Sequence, residues 1–308
     1  MPQLTREIRH PGPVAAQRHQ VAPATLCELA LTLEPGRSLL AAVREALDAA
    51  AQARGLPAPC RSAVLRLGEP GRDAAMFPFA WVMPARAKTP AHAVYFSDRF
   101  DAAQAVRLRD ATVTYGQREG QPFLHCHADW LDAQGQRRCG HVLPTEAVLT
   151  EPMPARAWLL QGAGFEVRAD AETAFSLFQP VADGAAGGPG HAAPAGALAV
   201  RLAPNTDVCL SLEALCRAHG IRRATVRGGV GSTVGAVFND GRVVEPFVTE
   251  TLVRAGRIAP EGGRPDGELR AELDVSLVDH TGGLADGRLA RGRNPVLVTF
   301  ELVLEADQ

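Results

Sequence analysis

Three histidines, His125, His127 and His141, fall in one short stretch, FLHCHADWLDAQGQRRCGHVLPTEAVL (residues 123–149). If residues 123–130 form a strand, alternate side chains share a face, so His125 and His127 lie side by side and Cys126 points away. The AQGQ segment around Gly135 reverses the chain and can return His141 opposite the pair. Three imidazoles on one face with an open fourth position is a typical ligand set for catalytic zinc, and it also suits other borderline divalent metals. Ordinary polar histidines on a half-exposed strand are the plainer alternative. That three of the nine histidines share one hairpin favours the metal. Two carboxylates are candidate catalytic groups: Asp129, one step beyond His127 on the same face, and Glu146, shortly after His141. Either could orient a ligand or act as a base, or sit at the rim as a solvated carboxylate. Tyr115, on a preceding strand, has similar standing. Cys126 and Cys139 are expected to be core thiols. Arginine is the natural partner of a carboxylate, which makes Arg99 and Arg288 the candidate substrate-binding residues, with Arg291 beside the latter.

Other chemistries find less support. Gly228–Gly229–Val230–Gly231–Ser232 lacks the GxxxxGK[ST] spacing and a following helix, so a tight strand turn is expected rather than a phosphate loop. There is no Ser-His-Asp pattern, nucleotide fingerprint or CxxC pair. The six cysteines are expected as free thiols. Formal net charge is -2 over 308 residues with 21% charged, which does not suit a generic nucleic-acid binder. The first twenty residues have no continuous apolar run of the kind an export signal needs. No stretch reaches the roughly 18 apolar residues of a membrane span. A cytoplasmic protein without a membrane segment is the expectation.

Residues 183–196, DGAAGGPGHAAPAG, are small residues, Gly and Pro with one His, and read as a linker. On either side the elements run in the same order. Strand 26–33 leads into a helix closed by Gly55, then strand 62–69 and strands near 92–96, 111–115, 123–130 and 156–160. After the linker, strand 197–202 leads through Pro204–Asp207 into a helix with Val208, Leu212, Leu215 and Cys216 on one face and Gly220 as its stop. Strands follow to either side of the Gly228 turn, a hairpin turn at Asn239–Gly241, a further extended pair, and two final strands joined by a Gly-rich hairpin. The text also aligns locally: TLEPGRSLLAAVREAL with RLAPNTDVCLSLEALC, and HADWLDAQGQ with DVSLVDHTGG. This predicts duplication: an N-terminal extension (1–24), a first domain (25–182), the linker (183–196) and a second domain (197–308). In that alignment Glu272, Asp274 and Arg288 replace His125, His127 and His141. The second copy would hold a salt bridge and no metal.

The His-x-His strand followed by a hairpin and Gly140–His141 resembles the signature of the PPC (plants and prokaryotes conserved) domain. The opening strand with Pro-Gly and an amphipathic helix, the glycines at 228–232 and the final TFELVL strand (299–304) fit the same pattern. The resemblance covers nearly the whole chain. It implies an α+β fold, each domain an antiparallel sheet packed with a helix, assembly as a trimer, and a metal, usually zinc, on three histidines. Plant members with AT-hooks associate with DNA. Here the nearest text, Arg291–Gly292–Arg293–Asn294, lacks the hook's proline, so direct DNA binding is not expected. Two functions stand at this point. One is a metalloenzyme acting on a small polar or carboxylate metabolite by hydrolysis, hydration or lyase chemistry. The other is a non-catalytic ligand-binding or regulatory module, DNA-associated in the family's plant members, with a structural metal.

Overall fold

A computed structural model describes residues 6–68, 72–183, 196–264 and 266–307. Most of the proposed linker, residues 184–195, lies outside the described residues. The chain is mostly antiparallel β-sheet with two α-helices among the described residues.

The first half opens with β1 (His19–Leu33) and helix α1 (Leu39–Ala53). Ser38 caps α1 by accepting from the Ala41 N–H, and Leu39, Val43, Leu47 and Ala51 form its buried face. Gly55 ends the helix at φ +66°. Then come β2 (Ala63–Leu67), β3 (Ala74–Met76), β4 (Ala80–Val82), β5 (Pro84–Arg86), β6 (Val94–Phe96) and β7 (Phe100–Asp101). The long hairpin of β8 (Val106–Arg118) and β9 (Gln121–Leu131) leads to β10 (Arg137–Val142) and β11 (Met153–Gln161), and a further hairpin, β12 (Ala163–Ala169) and β13 (Ser176–Ala182), closes the half.

The second half runs β14 (Ala197–Leu202), α2 (Val208–Ala218, capped by Asp207), β15 (Ala224–Val237), β16 (Val243–Pro260), β17 (Leu269–Asp279), β18 (Leu284–Arg288) and β19 (Val296–Ala306). The glycines expected to turn the chain at 228–232 instead lie inside β15. Gly228 (φ +67°) and Gly229 (φ +118°) form a bulge, and the pairing with β19 slips there. The expected extended pair 244–259 is likewise one strand, β16, with a bulge at Val253–Ala255. A bulge absorbs an extra residue without reversing the chain, and both partners of each strand hold it extended on either side.

Hydrogen bonding orders the first half β1–β11–β2–β8–β9–β10 and the second half β14–β19–β15–β16–β17–β18. The two orders correspond strand for strand. Strand β1 joins them: His19–Ala24 pair with β14, and Thr25–Leu33 pair with β11. The expected boundary at residue 24 thus falls within one strand, and seventeen strands form one continuous sheet. The β5–β6 hairpin is a separate two-stranded sheet.

Each helix covers its own apolar core, and a third cluster at the junction joins Val64, Trp158, Phe165 and Phe178 of the first half to Ala197, Ala199 and Val303 of the second. Among the described residues no helix is long and apolar enough to cross a membrane.

Arg201 of β14 is buried, 2% exposed, with Nη2 2.8 Å from the buried Asp170 carboxylate of the first half. Removing one partner of a buried ion pair leaves the other charge uncompensated. Arg201→Ala should therefore cost about 3–5 kcal/mol in urea unfolding. A loss below about 1 kcal/mol, the range of surface pairs, would contradict this role at the junction.

Candidate metal centre

His125 and His127 share a face of β9, and β10 returns His141 directly opposite His127. Gly140 lets β10 lie close against β4 on its other edge, since a Cβ there would lie 2.9 Å from the Val82 carbonyl oxygen. The ring centroids are 4.7 Å (125–127), 4.9 Å (125–141) and 5.4 Å (127–141) apart. One nitrogen from each ring lies within 4.8 Å of the others, so the group could hold a metal ion.

The second half orients these rings. His127 Nδ1 lies 2.9 Å from the Thr251 carbonyl oxygen on β16. A carbonyl only accepts, so Nδ1 carries the proton and Nε2 keeps its lone pair. His125 Nδ1 lies 3.1 Å from the Glu301 carboxylate on β19, which is 1% exposed. The two Nε2 atoms then face each other at 3.1 Å. Nitrogens sharing a tetrahedral zinc at its usual bond lengths stand about 3.4 Å apart. A shared proton would satisfy this pair alone. A metal ion satisfies it together with His141, whose Nδ1 is buried without a partner. Burial, followed by the charge of His125, pushes His127 down to about 3. Burial also holds His141 well below the ordinary histidine range. Both rings are therefore neutral at physiological pH, the state a metal ligand requires.

Glu250 of β16 completes the surroundings. It is buried and has one carboxylate oxygen without a partner. Burial pushes it up to about 8, opposed by a hydrogen bond from the His141 backbone. It lines a recess of about 70 Å³ with His125 and His127, walled by Phe96, Phe175 and Val248. At roughly 30 Å³ per water, this holds little more than two waters. Phe96 lies edge-on to His141, with centroids 5.1 Å apart, and places the β5–β6 hairpin over the site.

The other sequence candidates are not among the residues lining this recess. Asp129 is buried and paired with Arg137, which also binds Asp286 of the second half. Glu146 is exposed and paired with Arg99, which also holds Asp101. Arg288 pairs with Asp274 (3.0 Å) and Glu272 (2.8 Å), the salt bridge expected at the positions that align with the three histidines. Arg291 binds the buried Glu213 of α2. Tyr115 lies in the first core, and the six cysteines are unpaired. Sequence reasoning missed Glu250, Thr251 and Glu301. The available signal was a carboxylate inside each of two apolar strand runs, TETLV and TFELVL.

Comparison with known proteins gives a family match over part of the chain. Residues 192–306 match the Plants and Prokaryotes Conserved (PCC) domain. This PCC segment supplies Glu250, Thr251 and Glu301, while the three histidines precede it. Similar solved structures include a plant- and prokaryote-conserved protein of Pyrococcus horikoshii (12% identity, 54% of this chain and 97% of that one, TM-score 0.38). A protein of Archaeoglobus fulgidus described as metal-containing is also similar (14%, 51% and 96%, TM-score 0.39). A third, from Bacteroides thetaiotaomicron, is named for a suggested DNA-binding role (10%, 51% and 98%, TM-score 0.33). No curated protein matches the chain.

In the metal-stripped protein, the Glu250 carboxyl holds its proton up to about pH 8 when folded and gives it up near pH 4.5 when unfolded. Stability should therefore fall as pH rises between those values. Glu250→Gln should flatten that fall, read as the urea midpoint against pH. Parallel curves for variant and wild type would contradict the assignment.

Proposed function

We propose that the chain is a duplicated PPC-type protein in which the first copy binds a divalent metal, zinc foremost, through His125, His127 and His141, and that it is a metalloenzyme acting on a small carbonyl-bearing metabolite. The matching strand orders of the two halves support the duplication. The observation that carries the metal is the pair of Nε2 atoms 3.1 Å apart, with the Nδ1 of each ring engaged by Thr251 or Glu301.

A divalent metal held there would supply a Lewis acid and lower the pKa of a coordinated water toward 7. The chain's own residues do the rest. Glu301 and Thr251 hold two ligand rings in a single tautomer and orientation. Glu250 offers an unpartnered carboxylate oxygen in the recess and moves a proton to or from the reacting group. Phe96 and Phe175 wall the recess and narrow it around the metal site. Structural zinc sites generally have four protein ligands, so three histidines beside a recess favour catalysis over a purely structural metal.

Protein purified without chelator should contain about one metal ion per chain, and the His125→Ala, His127→Ala double variant should contain none. Glu301→Gln should keep the fold and weaken zinc affinity by about 10–100-fold, read by competition with a chromophoric chelator. In a screen of small esters, amides and hydrates, Glu250→Gln should lose turnover while keeping the metal. A well-folded wild type that binds no divalent metal would overturn the reading.

A further inference from the structure

A second cavity, of about 350 Å³, opens at the junction of the two halves, and none of the three histidines is among its described lining residues. Its wall contains four arginines, Arg66, Arg156, Arg227 and Arg254, together with Trp158, and no Asp or Glu among the described lining residues. We propose that this cleft is a binding site for a small organic anion bearing a phosphate or several carboxylates and an apolar body.

The arginines converge from both halves. Arg66 on β2 and Arg156 on β11 are direct cross-strand partners. Like charges directly opposite each other destabilise a sheet, and an anion between them reverses the sign. Arg227 on β15 lies over the Trp158 ring, 4.8 Å from its centroid, and Arg254 comes from the bulge of β16. Carboxylates do neighbour these groups: Asp110 is 2.7 Å from Arg66 and 3.6 Å from Arg254, Asp286 is 3.8 Å from Arg254, Glu305 is 2.6 Å from Arg227 and Glu28 is 3.2 Å from Arg156. None of these carboxylates lines the cavity. They hold the guanidinium groups in place from outside its wall, and each guanidinium carries five donors in a rigid fork suited to phosphate and carboxylate.

Trp158 is 5% exposed, and its indole N–H is buried without a partner. It lies beneath Arg227 as part of the wall, and Val226 and Val253 add apolar lining beside the cations, which suits a ligand with an anionic head and a small apolar body. The volume falls within the range of small-molecule sites, about 300–1,000 Å³. A cavity of this size suits a metabolite better than a nucleic-acid backbone, which binds along open basic surfaces.

The probes are inorganic phosphate and adenosine monophosphate, titrated calorimetrically into the full-length protein at low salt, with a 20-base-pair DNA duplex as a third arm. One saturable site per chain is expected, with the nucleotide tighter than phosphate. One arginine–anion contact typically carries about 1.5–3 kcal/mol, so Arg156→Ala should weaken the nucleotide by about 10–100-fold. Arg156 is 60% exposed, so this variant should fold. Arg66→Gln should act likewise, and Arg168→Ala, an exposed pair with Glu166, should change nothing. Absence of saturable nucleotide binding, or equal affinity in wild type, Arg156→Ala and Arg66→Gln, would overturn the proposal. So would binding of the duplex alone. Because these readouts do not involve the histidines, their failure leaves the metal reading untouched.

Discussion

A carbonyl oxygen can only accept a hydrogen bond, and the candidate site is organised by that constraint. Thr251 fixes the proton of His127 on Nδ1 and turns the Nε2 lone pair inward. Glu301 does the same for His125 with a carboxylate. Two acceptor atoms held at 3.1 Å in a buried setting call for a cation, and His141 with its unpartnered nitrogen offers the third ligand. The first half carries the three imidazoles, and the second half sets the tautomers of His125 and His127. Neither half contains the arrangement alone.

The sheet makes this possible. Strand β1 runs through both halves and pairs with each in turn, so β16 and β19 are presented to β9 in one register. Polar contacts then knit the junction. Thr112 donates to the Val253 carbonyl, Arg137 bridges Asp129 and Asp286, and the buried Arg201 approaches Asp170. Such partly buried charges tolerate few alternative packings. The halves are therefore held in one relation, and second-half groups reach the histidines reproducibly. The same junction concentrates arginines at one cleft and imidazoles at another recess, giving one molecule two sites of opposite electrostatic character.

Local patterns were readable where local forces decide. The His-x-His spacing and the Gly140–His141 return foretold the clustering of the three imidazoles, because strand alternation and hairpin register are short-range properties. The helix start at Asp207 and the helix stop at Gly55 follow from local side-chain and backbone chemistry in the same way. The salt bridge of Arg288 with Glu272 and Asp274 was legible from aligning one half on the other. Two things were not legible. The glycines at 228–229 read as a turn because a bulge and a turn use the same positive φ, and only the partner strands distinguish them. Glu250 and Glu301 lie more than a hundred residues from the histidines, and only the packing of the halves brings them near. The carboxylates close in sequence, Asp129 and Glu146, are each engaged by an arginine.

The central claim is a mononuclear metal centre with three imidazole ligands and an open position. X-ray absorption at the metal edge of the metal-loaded protein tests it most directly. The account predicts three imidazole nitrogens at about 2.0–2.1 Å with one further light atom and no sulfur. A shell containing sulfur, or one made of six oxygens as for a hard cation, would contradict it.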